Sequence, residues 1–184
     1  GSDVVNGFGG LDSISGGNGA DSLYGGNGKD VMTGDAGSDV ILGFDGDDQI
    51  DGGTDSATMV RSTGNNQIVG GTGDDQITTD IGNDTIFGND GNDRITDMGG
   101  DYNTVSGDAG DDIIITGPAA DLIYGGDGND SIGSGAGPDK LFGQDGNDSL
   151  AGLSGNDRVY GQNGNDDLSG GDDTDTCSGG NGFD

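Results

Sequence analysis

From Gly7 onward the chain repeats every nine residues, and each repeat places a single hydrophobic residue at the same point. In register, the first rows read GFGGLDSIS (7–15), GGNGADSLY (16–24) and GGNGKDVMT (25–33). Ten complete rows end at Thr96, Asp97 is one residue too many, and nine more rows run from Met98 to Ser178. Column eight holds Ile14, Leu23, Met32, Ile41, Ile50, Met59, Ile68, Ile77, Ile86, Ile95, Val105, Ile114, Ile123, Ile132, Leu141, Leu150, Val159, Leu168 and Cys177. Column six is Asp except at Ala57, Asn66 and Asn103, and column four is mostly Gly. One apolar side chain per repeat is too little for a unit to bury alone. Such units form a core only by stacking, so the pattern predicts an array.

Composition says what the array must overcome. The 184 residues include 45 Gly, carry a formal charge of −30 and are 27% hydrophobic. Charge and hydrophobicity alone would leave such a chain disordered. Glycine adds to the cost, because it loses the most backbone freedom on ordering. All 35 acidic residues are Asp, against five cations: Lys29, Arg61, Arg94, Lys140 and Arg158. Nucleic acid and anionic membrane surfaces are excluded as partners, since no basic patch exists to meet them. Short, stiff Asp side chains suit tight turns and hard-cation ligation. A cation is therefore the expected partner.

Catalysis finds no support. The chain has no His, so neither a Ser-His nor a Cys-His arrangement can form. A carboxylate that holds a cation is not free to act as a general acid. Cys177 is the only cysteine, so no disulfide forms within the chain. Its column-eight place predicts a buried small hydrophobe, with a bond to a residue beyond Asp184 as the other reading. No apolar run reaches membrane-spanning length and no signal-peptide pattern is visible. Residues 1–184 read as a single repeat domain, and the stop in mid-row predicts a fragment of a longer protein. Gly1-Ser2 reads equally as a tag remnant or as native sequence.

The rows match the nonapeptide G-G-x-G-x-D-x-U-x, and the chain resembles the RTX (repeats-in-toxin) family of hemolysin-type calcium-binding repeats over its whole length. The resemblance implies an all-β fold, a right-handed parallel β-roll (a β-helix or solenoid) of about ten 18-residue coils, about 48 Å long at a strand spacing of roughly 4.8 Å. It also implies type I secretion, an extracellular or cell-surface location, and calcium ions between turns of neighbouring coils. Positions one to six of a row would be a turn and positions seven to nine a very short strand. Strand side chains alternate, so column eight would point inward and columns seven and nine outward. Carboxylates of column six and turn carbonyls would be the calcium ligands.

Two rows per coil put alternate turns on opposite edges. One edge, with turns starting at 16, 34, 52, 70, 88, 107, 125, 143, 161 and 179, is intact except for GGTDSA, where Ala57 replaces Asp. The other edge is degraded in its middle: RSTGNN, TDIGND, MGGDYN and TGPAAD. We call these the regular and the variable edge. The predicted metal ligands are Asp12, Asp21, Asp30, Asp39, Asp48, Asp75, Asp93, Asp112, Asp130, Asp139, Asp148, Asp157, Asp166, Asp175 and Asp184. Asp84 and Asp121 stand among degraded turns and are set apart. Counting gaps between turns predicts about eleven calcium ions, a bound charge that offsets most of the chain's own.

Three functions compete. The first is a structural, secretion-associated module that folds on calcium outside the cell. The second is an adhesin or carbohydrate-binding rod using the column-nine aromatics Phe87, Tyr124, Phe142 and Tyr160. The third is an ice-binding face, for which only Thr63 and Asn65 show the required Thr and Asn spacing. A glycan or protein ligand is not identified by any motif.

Overall fold

A computed structural model describes residues 1–45, 48–53, 57–60, 62–79 and 81–183. All regular structure among them is β-strand. Each strand pairs in parallel with the strand one coil further on, as Ser22 with Val40 and Leu122 with Lys140. The result is two parallel sheets, one of ten strands and one of eleven, stacked as a β-solenoid. One sheet starts at Val4–Gly9 and Ser22–Asn27 and ends at Asp167–Ser169. The other starts at Ser13–Asn18 and Val31–Ala36 and ends at Thr176–Asn181.

Column eight lies between the sheets. Leu23, Ile41, Ile77, Ile86, Ile95, Val105, Ile114, Ile123 and Leu141 have no exposed surface, and the cluster extends from Ile14 to Val159. Among the described side chains from Ile14 to Val159 both sheets thus contribute apolar residues coil after coil, and stacking makes two stripes that cover each other. Column seven faces solvent and column nine is half-buried, as at Lys140 and Phe142. Tyr124, Phe142 and Tyr160 stack along one sheet with ring centroids 5.1 Å apart in both pairs. Phe87 stands apart from them, because its strand neighbours are Val69 and Ser106.

Three expectations need correction. Strands are longer than three residues wherever the parallel pairing continues into the first half of the following turn, as at Asn89 with Asp108 and Gly126 with Gln144. Thr85–Asp90, Thr104–Ala109, Leu122–Asp127, Lys140–Asp145 and Arg158–Asn163, which all lead into the regular edge, have six residues. In the second half of the chain the strands leading into the variable edge keep only three, as in Ile113–Ile115 and Ser131–Gly133. Second, Cys177 is exposed, because its strand is the last of its sheet and no further rung covers it. Third, Asp97 is not the surplus residue. It pairs with Thr79 as a regular column-one residue, and the pairing offset grows from 18 to 19 only in the turn after it. Met98, now in the second place of that turn, points outward and is exposed.

Candidate metal centres

Each turn brings a column-six side chain under the backbone. On the regular edge the turns have two left-handed residues, at columns two and four: Asp108 and Gly110 (φ 75° and 138°), Gly126 and Gly128 (129° and 136°), Gln144 and Gly146 (84° and 150°). At column four the need for glycine is also steric, since a Cβ on Gly128 would collide with the carbonyl oxygen of Gly110. Two left-handed residues wrap the backbone around the buried Asp and tilt turn carbonyls off the strand direction.

The column-six carboxylate divides its two oxygens between two tasks. Oδ1 accepts a hydrogen bond from the backbone N–H of the column-six residue one coil earlier. Examples are Asp93 N–H to Asp112 Oδ1 (2.7 Å), Asp112 N–H to Asp130 Oδ1 (2.9 Å) and Asp130 N–H to Asp148 Oδ1 (2.9 Å). The same ladder runs down the variable edge: Asp12 to Asp30, Asp30 to Asp48, Asp48 to Asn66, Asn66 to Asp84, Asp84 to Asn103, Asn103 to Asp121, Asp121 to Asp139, Asp139 to Asp157 and Asp157 to Asp175. Asn keeps it intact, because its amide oxygen serves as Oδ1. Sequence reasoning missed this ladder. Its only sequence signal is that two of the three replacements for Asp retain a side-chain oxygen.

Oδ2 has the other task. In Asp12, Asp21, Asp30, Asp75, Asp93, Asp112, Asp130, Asp148 and Asp157 it is buried and has no hydrogen-bond partner. It faces the space left by the column-one glycine. A Cβ on Gly70 would lie 2.5 Å from Asp75 Oδ2 and 2.6 Å from the Gly88 carbonyl oxygen; at Gly16 both corresponding distances, to Asp21 Oδ2 and the Gly34 carbonyl, are 2.8 Å. A carboxylate oxygen and a carbonyl of the next coil therefore converge on one small space, which only glycine leaves open. Among the described residues no three carboxylates or thiols converge on one point. Any cation there would complete its shell with backbone carbonyls.

Electrostatics agree. Burial pushes the Asp112 carboxyl up to about 7, against a pull from the Asp93 N–H, and Asp130 and Asp93 raise it further. Burial likewise pushes Asp75, Asp84, Asp130 and Asp139 up to about 6. Asp93, Asp148 and Asp157 are raised for the same reason. Rungs about 4.8 Å apart put like charges where repulsion costs about 3 kcal/mol at an effective dielectric near 20. A column of desolvated, partnerless carboxylate oxygens next to glycine-opened carbonyls suits a hard oxygen-seeking cation such as Ca²⁺.

The repeat model described as the RTX calcium-binding nonapeptide repeat matches residues 1–23, 24–59, 62–95, 98–132, 134–159 and 151–184. The chain belongs to that family. Among curated proteins no relative matches it. Within the RTX turn the two oxygens of the column-six side chain thus differ: Oδ1 joins neighbouring coils and Oδ2 is buried without a hydrogen-bond partner, as in Asp112 and Asp130.

Within the described residues the predicted ligands all occupy column six of a turn, and they differ in burial. Asp39, Asp48 and Asp166 are buried with the rest, and Asp139 occupies the same position on the variable edge. Asp12 and Asp175 are only partly buried, near the two ends of the coil. Asp184 lies outside the described residues. Asp84 and Asp121, set apart in the sequence, sit as Asp112 and Asp130 do, with Oδ1 in the ladder and Oδ2 buried and without a hydrogen-bond partner.

Proposed function

We propose that this RTX coil folds on binding calcium outside the cell and serves as a structural, secretion-associated module of a larger protein. The observation that carries the reading is the file of buried Oδ2 atoms with no partner. Without a cation, folding moves these carboxylates out of water and sets them against one another. In calcium-poor cytosol this keeps the chain open and fit for threading through a secretion channel. Outside, extracellular-type sites with dissociation constants of roughly 0.1–1 mM each contribute about 0.6–1.8 kcal/mol at about 2 mM calcium. About eleven such sites, with the column-six carboxylates as anionic ligands, contribute roughly 7–20 kcal/mol, on the scale of a whole domain's stability of about 5–15 kcal/mol.

The rod-shaped adhesin reading has less behind it. The rings of Tyr124, Phe142 and Tyr160 lie nearly parallel, at 14° and 11°, so Phe142 spends both faces, and Tyr124 and Tyr160 one each, on a neighbouring ring rather than on a sugar. Circular dichroism tests the main reading. The metal-stripped protein at neutral pH is expected to show coil, and millimolar calcium to restore a β spectrum. Magnesium is expected to substitute poorly, since it demands octahedral geometry and dehydrates reluctantly. A full β spectrum in the stripped protein would refute folding on calcium.

A further inference from the structure

We infer that five successive turns of the variable edge carry their own hydrogen-bond donor in the space that other turns leave for calcium, and that this donor, a hydroxyl in column one or an amide in column six, decides which kind a turn becomes. The inference rests on the reading that the glycine turns take calcium. The donors are the amides of Asn66 and Asn103 and the hydroxyls of Thr79, Thr116 and Ser134. All five residues are at least nine-tenths buried.

In the hydroxyl turns, column one is no longer glycine. Ser134 Oγ donates to the Gly152 carbonyl at 3.0 Å, and Thr116 Oγ1 donates to the Ser134 carbonyl at 3.0 Å. These carbonyls correspond to the ones that close the space at glycine turns. Thr79 Oγ1 donates to Asp97 Oδ1 at 3.1 Å, one coil on. Each side chain thus stands where a Cβ on Gly16 or Gly70 would crowd the carboxylate, and it hands its proton to an acceptor that a cation would otherwise serve.

In the amide turns, column six itself reverses polarity. Asn66 Nδ2 donates to the Gly64 carbonyl (2.8 Å) and to Asp84 Oδ1 (3.0 Å). Asn103 Nδ2 donates to the Asp101 carbonyl and to Asp97 Oδ2, each at 3.0 Å. Asp97 explains why the second exchange works. It brings a carboxylate into column one opposite the column-six amide, so the usual pair is swapped. Its Oδ1 is held by Thr79 and by the Gly99 N–H at 3.1 Å. Asp97 thus takes three donors from the protein itself, Thr79, Gly99 and Asn103.

Ser134 gives the cleanest test, because its turn is otherwise regular. Gly135 and Gly137 are left-handed (φ 81° and 132°), and Asp139 Oδ2 is buried and has no hydrogen-bond partner. Ser134→Gly is expected to bind about one more calcium ion than the wild type, counted by equilibrium dialysis and elemental analysis. Ser134→Ala keeps the Cβ and is expected to gain none. Gly125→Ser is the reverse experiment on the regular edge, where a Cβ would collide with Asp130 Oδ2 and lie 2.7 Å from the Gly143 carbonyl. It is expected to lose about one ion. A wild type that binds no calcium would sink the proposed function. A wild type that binds it, with Ser134→Gly gaining nothing, would overturn this inference alone. A gain in Ser134→Ala equal to that in Ser134→Gly would also overturn it. If Ser134→Gly does not fold in calcium, an unchanged count in Gly125→Ser decides against it.

Discussion

The Gly107, Gly125 and Gly143 turns and the Thr116, Ser134 and Gly152 turns lie on opposite edges of the same three coils. They are joined by the same strands and rest on the same core residues, Ile114, Ile123, Ile132 and Leu141. Their column-six Oδ1 ladders have nearly the same lengths, 2.9 Å on the regular edge and 2.8 Å on the variable edge. What differs is column one and the backbone around it. The regular turns have glycine there and two left-handed residues; the Thr116 turn has a buried hydroxyl and neither Gly117 nor Ala119 is left-handed. Gly152 returns to the open type. Stacking through Oδ1 and the open space in front of Oδ2 are therefore separable within one repeat. A turn can keep its place in the coil through Oδ1 while giving up the space in front of Oδ2.

The largest expected effect tests what the two edges share. Ile114→Ala and Ile123→Ala each remove a fully buried side chain, one from each sheet. Each is expected to cost about 2–5 kcal/mol in saturating calcium, read from urea unfolding midpoints. Similar costs are expected from both, because column eight serves both edges alike. If one variant unfolds in a separate, earlier phase, the coil is not one cooperative unit and the comparison of edges loses its common baseline.

The next effect separates the edges. Asp112→Asn and Asp121→Asn each retain an Oδ1-like oxygen, so the ladder survives as it does at Asn66 and Asn103. Only the second oxygen is lost. At about 2 mM calcium, Asp112→Asn is expected to cost roughly 1–3 kcal/mol, the worth of one or two sites, and to raise the calcium midpoint. Asp121→Asn, behind the Thr116 hydroxyl, is expected to cost less than about 0.5 kcal/mol. Calcium titrations followed by circular dichroism would check both. Equal losses would mean that the variable edge holds calcium despite its side chains.

Much of this was legible in the residues. The nine-residue period follows from spacing alone, and the inward column eight and the asymmetry of the edges follow once the RTX resemblance supplies two rows per coil. The rest depends on atoms one coil away. Nothing local to Gly125 shows that its missing Cβ leaves room between Asp130 and Gly143, since the second partner stands 18 residues on. For the same reason Ser134 reads as a neutral replacement in an otherwise ordinary row, and Asp97 reads as a surplus residue until its pairing with Thr79 gives it a column. Cys177 reads as core by column, but burial needs a neighbouring rung that its last-strand position does not supply.

The smallest effect is the most specific to the metal-free coil. Asp112 is pushed up to about 7, and Asp75, Asp84, Asp130 and Asp139 to about 6, from an ordinary value of 3.8, chiefly by burial. A carboxyl whose folded pKa is raised binds more protons folded than unfolded. The metal-free coil is therefore favoured in acid and loses stability as pH rises from about 4 to about 7. Calcium binding runs the other way, because protons compete for the same oxygens and its affinity falls as pH drops through that window. Metal-stripped protein is thus expected to show more β signal near pH 4.5 than near pH 7.5. The edges are expected to differ here too. Asp112 is pushed up further by Asp130 and Asp93, whereas at Asp121 burial raises the carboxyl and the Asn103 N–H opposes the rise. Asp112→Asn removes the group with the highest value and is expected to flatten the metal-free pH profile more than Asp121→Asn. A metal-free β signal that grows from acid to neutral pH would show that these carboxylates are not buried as ions without partners, and would remove the electrostatic reason for the regular edge to need a cation.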